Sequence, residues 1–387
     1  MLANPAFVFS FIWLIALFLY TRYWSNIFLI LSDKTFYYIL LAVFVSLFSW
    51  LFFIVINKSK SIEFKRKMFK FTYNSERKII LFFNIWIIGT VIELIYFKDL
   101  PILSLFGLSN MSYHDFGLPT LHGFLNAIIL SISMYMLYKY ILTDKKVFLI
   151  YYLATLFVPI AGMNRGMLTS LLLQSLFVIL VFKGIKLKSL LKICFYIVVF
   201  VFLFGMLGEL RYQGNPDDLY TVFQISENFP TFLPKSVMWV YMYITSSINN
   251  IENMIYQFED FNFQPYIVIF GLIPSVIRVH LDLPIQQNLV DVAFNVTSFM
   301  PNYLGAFGIY GSLFFYFFAS MIAMAVYYRY INRYELRFGF TLIILLHSIV
   351  LSIFSDFFAI QVYVFQILIQ FIIFSKININ NKGVRNV

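Results

Sequence analysis

Long apolar runs broken by short basic segments constrain this chain more than any other feature. A run such as IILFFNIWIIGTVIELIYF, which follows Lys78, is long enough to cross the roughly 30 Å of bilayer hydrocarbon as a helix. Only 12% of residues are charged and 61% are apolar, whereas soluble domains carry about 25% charged residues. A soluble fold has no interior large enough to hide so many such runs. The expected class is therefore an all-α polytopic membrane protein.

The apolar runs predict helices at 6–21, 35–56, 79–97, 119–138, 147–162, 166–182, 193–208, 303–328, 338–354 and 357–375. Basic residues cluster between them, at 57–78 (Lys58 to Lys78), 139–146 (Lys139, Lys145, Lys146) and 183–192 (Lys183 to Lys192). Two more clusters lie at 329–337 (Arg329, Arg333, Arg337) and in the tail (Lys376, Lys382, Arg385). With about ten spans, one alternation puts every cluster in the cytoplasm, as the positive-inside bias requires, and both termini with them. The heavy use of Phe, Ile, Tyr, Asn and Lys suits an AT-rich bacterial genome, and a bacterial inner membrane is the location expected on that association. The net charge of +10 is then a consequence of topology and does not point to nucleic acid. A single cysteine, Cys194, rules out an internal disulfide and a multi-cysteine metal site. The N-terminus has no basic region before its apolar stretch and reads as a retained first helix.

The same alternation leaves one long extracytoplasmic loop, 209–302, within a single integral membrane domain, 1–387. Two apolar pieces of this loop, VMWVYMYIT and YIVIFGLIPSVI, look too short to span and read as short or re-entrant helices. A twelve-span alternative would make both cross as a pair. It would also put Glu252, Glu259 and Asp260 on the cytoplasmic side without a base.

The cations left on the outer side include three isolated arginines: Arg165 in a tight turn, Arg211 where helix 193–208 ends, and Arg278 after the second short apolar piece. Arginine is rare on that side, so one retained there suggests an anionic ligand. Asn164 and Gly166 suit a turn, and the helix beginning beside Arg165 would add its amide ends, which favour phosphate oxygens as guanidinium groups do. Snorkelling explains Arg165 equally well, and a local pair with Glu209 explains Arg211. Glu209, His280 and Asp291 are candidate general bases for deprotonating a hydroxyl. Glu93 and Asp356 are ionisable groups in or beside spans, which are functional candidates by default, although hydrogen bonding within the bundle accounts for them too. No P-loop, GxSxG, HExxH or Cys/His cluster is present, so neither a metal nor another cofactor is expected.

Four stretches resemble the bacterial O-antigen polymerases, the oligosaccharide repeat-unit polymerases of the Wzy-like family. They are SYHDFGLPTLHGFLNA, ending at Ala127; the NRG turn at Asn164–Gly166; YMYITSSINNIEN, with Tyr243, Thr245, Ser246 and Asn250; and NVTSFMPNYLGAFGIYGS. Ala306 stands where the last motif often has Asp. The resemblance implies a GT-C-like glycosyltransferase that polymerises undecaprenyl-pyrophosphate-linked repeat units into O-antigen, capsular or related surface polysaccharide, with inversion at the anomeric carbon. It adds His114, His122, Tyr243 and Asn250 as substrate-binding residues, and makes Arg165, Arg211 and Arg278 the expected pyrophosphate ligands. Its partners would be the lipid-linked donor and acceptor, the bilayer and a chain-length regulator. An O-antigen ligase-like transferase, a transporter or flippase of lipid-linked sugars, and an accessory protein of polysaccharide assembly are the alternatives.

Overall fold

A computed structural model describes residues 3–56, 70–111, 115–183, 219–234, 237–257, 264–278, 280–281, 289–290 and 296–374. Regular structure among the described residues is helical, with two isolated bridges, Ser25 to Ile225 and Ser298 to Ser355. The helices are α1 (Pro5–Tyr20), α2 (Asp33–Ile56), α3 (Tyr73–Phe97), α4 (Leu121–Thr143), α5 (Lys146–Ala161) and α6 (Arg165–Val178). A 3-10 turn, Pro101–Phe106, precedes α4, and α6 runs on as a π turn to Lys183. Then follow α7 (Leu219–Phe223), α8 (Val237–Gln257), α9 (Tyr266–Phe270), α10 (Ser275–Arg278), α11 (Met300–Arg333), α12 (Leu336–Leu351) and α13 (Gln361–Ile373).

Five of these, α2, α3, α4, α6 with its π turn, and α11, are long and apolar enough to cross a membrane. α1, α5, α12 and α13 are shorter apolar helices. They lie where the apolar runs predict them; the expected helix 193–208 falls outside the described residues. α3 starts at Tyr73 rather than 79, because Thr72 caps it by accepting the Ser75 amide at 3.2 Å. α13 starts at Gln361 rather than 357, because the chain around Asp356 is a turn.

The chain folds into two compact units. One contains α3 to α6, the stretch from Val326 to Ile344, and α13; it is called the second unit. Its helices meet at one end in an aromatic cluster: Tyr138 on Phe182 (4.5 Å between centroids), Phe340 on Phe374 (5.5 Å) and Phe71 on Tyr138 (5.4 Å). That end is also basic. Lys139 bonds Glu76 at 2.7 Å, Lys78 bonds the Ile372 carbonyl at 2.6 Å, and Arg337 bonds Glu335. Neutral polar pairs staple the interior. Gln174 and Gln366 exchange two amide bonds (2.9 and 2.8 Å), Tyr135 donates to Gln370 (2.7 Å), and Ser170 bonds Tyr363 (2.8 Å). Lipid offers helices no hydrophobic drive to associate, so such bonds and close packing hold them together.

The first unit contains α1, α2, α7 to α10, α11 as far as Ala325, and the stretch from Leu345 to Ile360. Its core gathers Trp13, Tyr20, Tyr38, Tyr241, Ile248 and Met300. VMWVYMYIT is longer than the sequence reading allows: it opens α8, a helix of 21 residues, about 31 Å at the usual rise. The polar half of α8 continues the helix because its side chains bond irregular chain. Asn249 accepts from the Leu29 amide (2.9 Å) and the Tyr20 hydroxyl (3.0 Å), and Glu252 accepts from both the amide and hydroxyl of Ser32 (2.9 and 3.0 Å). YIVIFGLIPSVI does form short helices, α9 and α10, separated at Gly271–Pro274. α11 breaks at Gly308, whose φ of 68° and ψ of −175° lie in a region essentially reserved for glycine.

Candidate functional site

In the second unit, ionisable groups also collect at the end opposite the basic one. Glu93, near the end of α3, is 2% exposed. Its carboxylate accepts the Leu118 amide at 2.9 Å and faces Nδ1 of His122 at 3.0 and 3.2 Å. The acceptor is a carboxylate, so Nδ1 carries the proton and donates. The loop before α4 is shaped for this contact. Gly117 has a φ of +114°, and a Cβ there would come within 2.4 Å of the His122 ring. Phe116 meets that ring edge-on, with centroids 5.7 Å apart, and packs on Phe97 at 5.3 Å. The FGLPT stretch is thus a loop that wraps the histidine at the start of α4 and locks it onto α3.

Arg165 opens α6 at this same end. Asn164 caps the helix, its side chain accepting the Met167 amide at 2.9 Å, while Met163 takes a left-handed φ of 50° to make the turn. The starts of α4, α6 and α13 come close together at this end. Gly123, beside His122, faces Val362, Tyr363 bonds Ser170, and Ser170 bonds the Gly166 carbonyl at 2.8 Å. The Arg165 side chain is exposed.

In the first unit, Arg278 ends α10 half-buried, with its guanidinium 5.5 Å from the centre of the Phe270 ring. His280 follows it, exposed. The segment that bears them packs closely on the turn after α12: a Cβ on Gly271 would meet the Ala359 carbonyl at 2.9 Å. That turn carries Asp356, 5% exposed. Its Oδ1 accepts the Phe358 and Ala359 amides at 3.2 and 3.3 Å, and its Oδ2 has no hydrogen-bond partner among the described residues. Burial pushes this carboxyl up to about 6, against the lowering effect of the two amides and the Asn302 side chain. The same unit holds a largely apolar cavity of about 330 Å³, with Phe9, Ser46, Phe299, Tyr303 and Phe358 on its walls.

Asn250 is engaged at both ends of its amide, donating to the Val296 carbonyl (2.8 Å) and accepting the Val290 amide (2.9 Å). Tyr243 is half-buried on the same helix, and Ala306 is fully buried in α11. Glu209, Arg211, His114 and Asp291 lie outside the described residues. The structure brings Arg165 and His122 to one end of the second unit and puts Arg278 with His280 in one segment of the first. Sequence reasoning named Glu93 and Asp356 without partners. The signal for Glu93 was an acid inside an apolar run followed by a His-Gly pair at the next helix start. Among the described residues, no group of three or more His, Cys, Asp or Glu is arranged to hold a metal ion. No protein-family model, curated protein or solved structure matches the chain.

Proposed function

We propose that this chain is a membrane-embedded glycosyltransferase that polymerises undecaprenyl-pyrophosphate-linked repeat units. It would have about ten spans, a GT-C-like architecture and both termini in the cytoplasm of a bacterium. The observation that carries this reading is the segregation of charge in the second unit. Lys78, Lys139 and Arg337 share one end, Glu93, His122 and Arg165 share the other, and neutral amide and hydroxyl pairs join the helices between. If the basic end is cytoplasmic, the opposite end faces lipid-linked glycans presented outside, at the level of their diphosphate. Chemistry at that boundary suits a transferase. The apolar cavity of the first unit suits hydrocarbon. Arg165, Arg211 and Arg278 are the cations proposed to stabilise charge building on the pyrophosphate leaving group, where loss of one donor costs on the order of 3 kcal/mol.

The glycan ladder of cells carrying Arg165→Ala, Arg211→Ala or Arg278→Ala should collapse toward single repeat units. Ladders of normal length in all three would remove the arginines from the reaction. Supplying purified protein with the lipid-linked repeat unit alone separates polymerase from ligase, because only a polymerase extends it without another acceptor. One observation favours a transporter of lipid-linked sugars instead: the break of α11 at Gly308, since interrupted helices are a hallmark of transporters. Movement of the lipid-linked unit across proteoliposomes without polymer would decide for that reading.

A further inference from the structure

We infer that His122 is the general base of the proposed transfer and that Glu93 is its positioning residue; the inference rests on the glycosyltransferase reading above. The geometry is that of a carboxylate-histidine pair. Glu93 fixes the ring through Nδ1 at 3.0 Å, which leaves the lone pair on Nε2. Gly117 closes over one part of the ring and Phe116 over another, so the imidazole has little freedom to turn. The carboxylate is 3% exposed and the imidazole 31%, so the pair is buried at its carboxylate and open at its histidine. Among the described residues, Nε2 has no hydrogen-bond partner. A histidine serving only to tie α4 to α3 would gain nothing from this opening. Arg165 stands at the same end of the same unit, so the base and one of the cations proposed for the pyrophosphate lie at the same helix ends.

The step balances without a further reactant. The acceptor hydroxyl oxygen forms a bond to the anomeric carbon of the donor glycan, and its proton passes to Nε2 of His122. The bond from the anomeric carbon to the pyrophosphate oxygen breaks, and its electron pair leaves with undecaprenyl pyrophosphate. The Glu93 carboxylate faces the imidazolium that results, and solvent takes the proton afterwards.

His122→Asn separates the two roles of the residue. The asparagine amide occupies the place of Nδ1 and still donates to Glu93, but nothing replaces Nε2. Full-length protein in lipid nanodiscs is given the lipid-linked repeat unit extracted from cells deleted for this chain. The expected result is a loss of about 100- to 10,000-fold in turnover, the usual contribution of a general base, with KM for the lipid-linked unit unchanged. Glu93→Gln should lower turnover in the wild-type background and have no further effect in the His122→Asn background, because it acts through the histidine. Equal melting temperatures for wild type and His122→Asn exclude misfolding as the cause. Turnover of His122→Asn within threefold of wild type, with polymer formed, overturns the base assignment and leaves the glycosyltransferase reading standing. So does a Glu93→Gln effect of the same size in both backgrounds. If the wild-type protein makes no polymer from this unit, the transferase reading falls and takes the base assignment with it.

Discussion

The buried polar side chains of the second unit's helices and those of α8 in the first bond different kinds of partner. In the second, side chain bonds side chain from helix to helix: Gln174 with Gln366, Tyr135 with Gln370, Ser170 with Tyr363. In the first, polar residues of α8 reach out to the backbone of irregular chain. Tyr241 accepts the Trp24 amide at 3.0 Å, Asn249 the Leu29 amide, Glu252 the Ser32 amide, and Asn250 clasps Val290 and Val296. The difference teaches what each unit is for in mechanical terms. One is a stapled frame that fixes helix ends, and the other uses a helix as a spine on which loops are ordered. Asp356 belongs to the second pattern, with one carboxylate oxygen committed to loop amides and the other left over.

The strongest way to test this contrast is Asp356→Asn. The folded-state value for Asp356 is raised from 3.8 to about 6, so the stability it confers is complete below 3.8 and disappears as pH rises through about 6. Above pH 7 the asparagine variant should be the more stable by about 3 kcal/mol, at roughly 1.4 kcal/mol per unit. Melting of the detergent-solubilised proteins between pH 4 and 8 should show a step in wild type that the variant lacks. A parallel pair of curves would mean that the buried carboxylate costs nothing.

Asn250→Ala comes next. It strands the Val290 amide and the Val296 carbonyl, at about 2 kcal/mol for a buried group left unpaired. Protease should then cut near Val290 sooner while helical circular dichroism is kept; unchanged cleavage would deny Asn250 its role in holding Val290. The smallest effect belongs to the frame. Gln174→Leu alone should cost about 1 kcal/mol and the Gln174→Leu, Gln366→Leu pair almost nothing, since interhelical bonds in membranes average about 0.6 kcal/mol. A double variant worse than the single one would show that the amides do more than satisfy each other.

Much of the frame is legible in the sequence, because long apolar runs mark membrane-length helices directly. Thus α2, α4, α6 and α11 start or end within a few residues of their predicted positions. α8 is less legible. Its TSSINNIEN half reads as loop by hydropathy, yet Met238, Tyr241, Met242, Thr245, Ile248 and Glu252 recur at helical spacing and are all buried. The period was there, but the polar members of the buried face hid it. The Glu93–His122 contact joins residues 29 positions apart on successive helices, so it depends on how α3 and α4 pack, which local pattern does not encode. The unpaired oxygen of Asp356 is likewise a property of packing.

The reciprocal amide pair in the second unit has a consequence on the timescale of descent. Each glutamine satisfies the other, so a change at either position alone strands its neighbour in hydrocarbon, and a change at both relieves it. Positions 174 and 366 should therefore drift together among descendants of this gene, passing from two amides to two hydrocarbons with few lineages caught halfway.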